Sequence, residues 1–359
     1  MDVGLNSEQL SLRDAVRDIL RTECPPDAAR QATTDPERWR ALWKTVVDLG
    51  WTELAAPLEE GARDYGPVEL AVVMEECGAA IAPIPLLSSV GLAAGVLRGS
   101  GLNSVLTDIA GGVVATLAVH SRGSRLPGAP MTLRQGRLRG RAVAVPNVSR
   151  AELIVTLARS DNDVMVAVAR CDSASGVTVL GGESTDPAQP VADVEIEAEP
   201  LATAPVDVET ALTAPLVACA ADLVGVASAA LNRSVEYAKS RRQFDKPIGA
   251  FQGVKHALAD NHVSLERARS LTYAAAARLA DPTTPPTDAW TAAALAKAAA
   301  SDAATQCART AVQVHGALGQ TWEHDVHLCV RHAWQGAAIL GDSRALYHEV
   351  GRRFAGGAG

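Results

Sequence analysis

Aromatic side chains are scarce in this sequence, with Phe, Trp and Tyr together only 4% of its residues. Few large rings are therefore at hand for a core. The abundant alanine favours closely packed helices instead, because alanine loses no side-chain entropy on entering one. Paired cysteines are lacking too. Cys24, Cys77, Cys171, Cys219, Cys307 and Cys329 are scattered, with no CxxC and no metal-type spacing. They read as reduced thiols of a cytoplasmic protein. Basic charge is in deficit: 33 Lys and Arg against 41 Asp and Glu give −8. Nucleic acid and anionic membrane surfaces are poor partners for such a chain. The opening stretch MDVGLNSEQLSLRDAVRDIL is acidic and amphipathic, so it reads as neither a signal nor a transit peptide. The one long apolar run, Ala211 to Leu231, carries Pro215 and Asp222 and reads as a buried helix.

What is present falls into three textures. At 359 residues, two or three domains are expected. Residues 1–110 read as an α-helical domain. Ser7 is a natural cap for a first helix, Pro36–Leu49 forms a second closed by Gly50, and Gly66–Ala80 forms a third. Pro83 and Pro85 then break the chain before a helix over Leu86–Leu97. Residues 111–205 change period. Val113–Val119, Arg141–Val145, Leu153–Leu157, Val164–Ala169, Val177–Leu180 and Val191–Ile196 read as short strands of a β-barrel or sandwich. Residues 206–359 return to helices, as a four-helix-type bundle. The spans are Val208–Ser240, with Pro215 marking a possible later start, Ala250–Ala280, and Asp288–His315 behind a Thr287 cap. Two more begin near Glu323 and Ser343.

Two stretches carry chemistry. RRQFDKPIGAFQGVKHALAD, from Arg241, gathers Arg241, Arg242 and Lys246 beside Phe244 at a helix boundary. Arginine offers fixed bidentate donors to phosphate, and a neighbouring ring can cover a flat ligand. A solvated interhelical loop accounts for the same residues. QVHGALGQTWEHDVHLCVR, from Gln313, puts Gly316 and Gly319 where a helix ends. Such glycines either let backbone approach a ligand or simply cap the helix. His315, His324, His327 and His332 fit no standard metal spacing, so no metal is expected.

Together these stretches closely resemble the C-terminal signatures of the acyl-CoA dehydrogenase family. The first is similar to its Arg-x-x-Phe element, and the second to its Gln-x-x-Gly-Gly motif followed by Thr-Trp-Glu-His-Asp. SEQLSLRDAVRDIL and GPVELAVVMEECGAAIAPIPLL resemble its first domain. The resemblance spans most of the chain and implies the helix, β, helix-bundle order already read. It implies FAD as cofactor, contacted at its ADP half across a subunit boundary by Arg241, Gln243, Phe244, Gln252, Gln313, Gly316 and Ala317. Asp245 and Ala317 stand where the family usually has glycine.

The resemblance also exposes gaps. The family abstracts the α-proton of an acyl thioester with a Glu. Leu340 occupies the usual position of that Glu, and Pro215 the less common one. Asp342 and Glu209 are the nearest substitutes, Asp342 also being suited to cap the helix at Ser343. Asp222 lies seven residues from Pro215. LAVHSRGSRLPG and GRAVAVPNV replace the segments that seat the flavin ring. The implied role is a subunit of an acyl-CoA dehydrogenase that keeps its cross-boundary FAD contacts while a homologous partner supplies the base, as in actinobacterial steroid side-chain α2β2 enzymes. Acyl-CoA and an electron-transfer acceptor are the other expected partners. The alternatives are an active homomer using Asp342 or Glu209, and a non-catalytic structural subunit.

Overall fold

The computed structural model describes residues 4–56, 66–161, 163–182 and 184–356; the first three residues of the amphipathic N-terminal stretch lie outside them. Helix α1, Ser7–Glu23, is capped by Asn6 and not by Ser7. The side chain of Asn6 accepts from the Gln9 amide at 2.9 Å, and that of Gln9 accepts from the Asn6 amide at 3.0 Å. This reciprocal pair needs Gln three residues on, which Asn6 has. The short α2, Ala28–Gln31, precedes α3, Trp39–Asp48, beyond whose end Gly50 turns left-handed at φ 74°. In α4, Pro67–Ala80, proline takes the first turn and Glu69 reaches back to the Gly66 amide. The expected Leu86–Leu97 helix divides into π-type turns over Leu87–Ala93 and a short α5, Ala94–Leu97. Gly91 and Gly95 there lie against Ala218 and Pro215. Helix α6, Asn103–Ala110, completes the helical part.

Eight strands form one sheet: β1 Ala115–Ala118, β2 Met131–Arg134, β3 Arg137–Pro146, β4 Leu153–Ser160, β5 Asp163–Arg170, β6 Val177–Leu180, β7 Val191–Ala198 and β8 Ala202–Pro205. Their order is β6-β7-β3-β2-β4-β5-β8, and β1 pairs with the first half of β4. Alternation along the strands divides the burial. Ile154, Ala158, Ala167 and Ala169 line a small core internal to the strands, with Leu138, Val145 and Ile196. Val155, Leu157, Val166 and Val168 face the helices.

The last part holds α7 Val208–Ser240, α8 Gln252–Ala280, α9 Pro286–His315, α10 Val326–Ala338 and α11 Ser343–Gly356. A two-residue pair, β9 Arg242–Gln243 and β10 Lys246–Pro247, links α7 to α8. Pro215 lies inside α7, which starts earlier because Asp207 caps it by accepting from the Thr210 amide at 2.9 Å. Likewise α9 begins at Pro286 and not after a Thr287 cap, since the ring presets φ for a first turn. Helix α7 is long and apolar enough to cross a bilayer, but most of that stretch is buried against its neighbours. It crosses α4 almost backbone to backbone. A Cβ on Gly78 would lie 2.1 Å from the Asp222 carbonyl oxygen, and one on Gly225 would lie 2.0 Å from that of Glu75.

Candidate cofactor site

The Arg-x-x-Phe stretch forms a hairpin at the surface end of α7. Arg241 ends α7, its amide donating to the Tyr237 carbonyl at 2.8 Å, and its side chain is exposed. Phe244 and Asp245 make the turn with φ of 51° and 63°. Both positions of such a turn need positive φ, which explains why glycine would be at home at position 245. Phe244 bears the same backbone cost and is nonetheless 86% exposed. Strain in a solvent-facing aromatic is a signature of a binding element. Phe251 meets it edge-on at 6.0 Å, and Lys246 lies over the Phe251 ring. Gln243 and Gln252 are exposed on the same hairpin and at the start of α8.

The Gln-x-x-Gly stretch ends α9 close by. Tyr237 stacks on His315 at 4.3 Å, which joins the ends of α7 and α9. His315 also meets His324 at 4.8 Å, so the loop after α9 is attached as well. Gln313, Gly316 and Ala317 are exposed there, and Gly316 closes α9 at φ 63°. The expected contact residues are thus grouped at one end of the bundle. Exposed guanidinium, amide and ring groups suit the phosphates and flat base of an ADP moiety.

The segment that replaces one of the family's flavin-seating stretches, from Leu117 to Gly128, meets the Leu340 corner. His120, just past β1, accepts at Nε2 from the Leu340 amide at 3.1 Å. Burial, and then Lys297, push His120 down to about 4, so it stays a neutral acceptor. Arg125 grips Asp342 with two hydrogen bonds of 2.6 and 2.7 Å. Gly341, at φ 105°, lies against the Leu126 side chain, and a Cβ there would come within 2.9 Å of it. Leu340, buried at φ 58°, sits at the centre of this junction.

Neither substitute carboxylate stands free. Asp342 pairs with Arg125 and caps α11 by accepting from the Ala345 amide at 3.0 Å. Burial works against its charge, but Arg125 holds it below the usual carboxylate range. Glu209 is held by Arg353 through contacts of 2.6 and 2.9 Å.

Two buried groups have partners that the sequence reading missed. Lys297, fully buried, donates from Nζ to Ser301 Oγ at 3.0 Å and to the carbonyls of Ala337 and Gly341 at 3.1 Å. It thereby ties the end of α10 to the Leu340 corner, and burial lowers it to about 8. A lone lysine in the run ALAKAAA was the available signal. His332 lies between Asp186 at 2.6 Å and Asp222 at 2.9 Å. Burial opposes its charge, yet the two carboxylates raise it well above the usual histidine value. No spacing could have joined residues 186, 222 and 332, nor His120 with Leu340.

Comparison with known proteins agrees with this architecture. Residues 6–101 match the acyl-CoA dehydrogenase N-terminal domain, and residues 207–354 match the acyl-CoA dehydrogenase C-terminal domain. Acyl-CoA dehydrogenase IpdE2 of Mycobacterium tuberculosis is 30% identical, with 96% of each chain covered. A chain of the ChsE4–ChsE5 complex of Mycobacterium tuberculosis superposes with a TM-score of 0.86 at 27% identity, covering 99% of both. A steroid acyl-CoA dehydrogenase, Tcur3481–Tcur3483, gives a TM-score of 0.86 at 25% identity over 98% of both chains. With matches to both helical domains and a near full-length relative, the chain belongs to the acyl-CoA dehydrogenase family, whose members are FAD-binding oxidoreductases acting on acyl-CoA.

Proposed function

We propose that this chain is the base-less subunit of a heteromeric acyl-CoA dehydrogenase, lending contacts to the ADP half of FAD while a homologous partner supplies the catalytic Glu and the flavin seat. The observation that carries this reading is the His120–Leu340 junction beside the Arg125–Asp342 pair. It supports reading Leu340, held in a packed corner, as the counterpart of the family's base. FAD supplies the hydride acceptor for oxidation at the β-carbon of an acyl thioester. Arg241, Gln243, Gln252 and Gln313 would hold its phosphates and ribose, and Phe244 would cover its adenine. Proton abstraction requires a carboxylate within reach of the α-carbon. Asp342 and Glu209 are each committed to an arginine, which favours a base from the partner. The two-name complexes among the structural neighbours support an α2β2 assembly, and the steroid acyl-CoA dehydrogenase supports a steroid-derived acyl-CoA.

The test is co-expression of the chain with a homologous partner. Half as many flavins as chains are expected, and Arg241→Ala should strip FAD from the assembly. Asp342→Asn should leave turnover unchanged. A yellow homomer that oxidises acyl-CoA and loses turnover with Asp342→Asn would establish the homomeric reading instead. Unchanged FAD content in Arg241→Ala would reduce the chain to a structural subunit.

A further inference from the structure

The expected FAD contacts lie at the end of α7, the start of α8 and the end of α9, and a chain of ring contacts joins the ends of α7 and α9 to the loop that follows. Tyr237 lies one turn before Arg241 on α7, and its backbone carbonyl accepts the Arg241 amide. His315 lies two residues after Gln313 and just before Gly316. It is buried, and its Nδ1 bonds the Ala311 carbonyl at 2.7 Å. In the neutral ring Nδ1 therefore carries the proton. His324 belongs to the loop after α9, where its Nδ1 accepts the Val326 amide at 3.3 Å. That loop is fastened in turn by Arg30, which donates to the Trp322 carbonyl and pairs with Asp325, both at 3.1 Å. Burial keeps both His315 and His324 below the usual histidine value, as two imidazoles in contact require. Among the described residues, no ion pair ties Arg241 to the rest of the chain.

We propose that the Tyr237–His315–His324 chain of rings is a positioning element for the FAD contacts: it fixes the end of α7, with Arg241, against the end of α9, with Gln313 and Gly316, so that both face one ADP moiety. None of the three rings is assigned a contact with the ligand. They act through the backbone segments they join, so the effect should appear in affinity for FAD and spare the fold. The inference rests on the ADP-contact role proposed above.

The experiment uses the co-expressed assembly and FAD itself as probe, with affinity read from flavin fluorescence and stability from thermal unfolding. Four variants are compared: Arg241→Ala, His315→Ala, His315→Gln and His315→Phe. Gln keeps a polar group near Ala311 but removes the ring, whereas Phe keeps the ring. His315→Ala and His315→Gln should weaken FAD binding roughly five-fold, in line with the worth of one ring contact. His315→Phe should restore it, and the melting temperatures of Gln and Phe variants should agree. If Arg241→Ala weakens FAD while His315→Gln binds like the parent, the positioning role is overturned and the ADP-contact role stands. If Gln and Phe lose affinity alike, the ring is not what matters and the proposal also fails. If Arg241→Ala itself has no effect, the ADP-contact role fails, and this inference with it.

Discussion

At the scale of single residues, the buried cations set how stability follows pH, and they pull in opposite directions. His332 titrates higher in the folded chain than the ordinary value of 6.5. Its contribution is therefore complete below about 6.5 and lost as pH rises through the raised folded value. Lys297 is lowered from 10.5 to about 8. Between those values the unfolded chain binds a proton that the folded chain does not, so this residue makes stability rise with pH there. The expected outcome for His332→Ala is a loss of about 3–5 kcal/mol, because two carboxylates are left facing each other without their cation. Urea unfolding at pH 6 checks it, and a loss below about 1 kcal/mol would mean that water compensates the pair. Lys297→Met should flatten the rise in unfolding free energy between pH 8 and 10.5 while leaving the acid side unchanged. Ser301 lies one turn from Lys297, but the other partners could not be read from sequence, because their contacts join distant segments: residues 297, 337 and 341, or 186, 222 and 332.

Among the elements, the crossing of α4 and α7 is the most exacting. Gly78 and Gly225 let the two backbones touch, so Gly225→Ala should cost about 1–3 kcal/mol, the price of overpacking a closed interface. A thermal melt reads this directly, and an unchanged melting temperature would show that the helices can slide apart. Other elements were legible to differing degrees. The long helices were plain from their apolar period, and only their ends were misplaced. Asn6 and Asp207 set the starts of α1 and α7 because a cap needs a partner amide in reach as well as a suitable side chain, and Pro286 starts α9 ahead of Thr287 through its preset φ. Strand β2 was missed, being short and half exposed, although the Gln135-Gly136 turn behind it, with φ of 49° and 73°, is a hairpin signal. Strand β8 has four residues and abuts α7, leaving too little alternation to detect.

For the whole molecule, the junction between the β part and the bundle bears on whether chemistry can be restored. Leu340→Glu should not create acyl-CoA oxidation in the purified chain, because Leu340 is buried and a carboxylate there would lose its hydration. Any turnover in a stopped assay with acyl-CoA would contradict this. The exposed candidate residues Arg241, Phe244, Gln313 and Gly316 could be named from sequence because they lie in two contiguous motifs. The replaced segments could be read only as missing residues, and the contacts of His120, Arg125 and Leu126 with residues 340–342 became visible in three dimensions. The strained turn at Phe244 has a practical consequence of its own. An aromatic residue at the tip of a hairpin between two rigid helices is a ready substrate for chymotrypsin. The free chain should be nicked there quickly, and a partner lying over the hairpin should shield it, so the rate of a single cleavage would report how much of the chain in a preparation has found its mate.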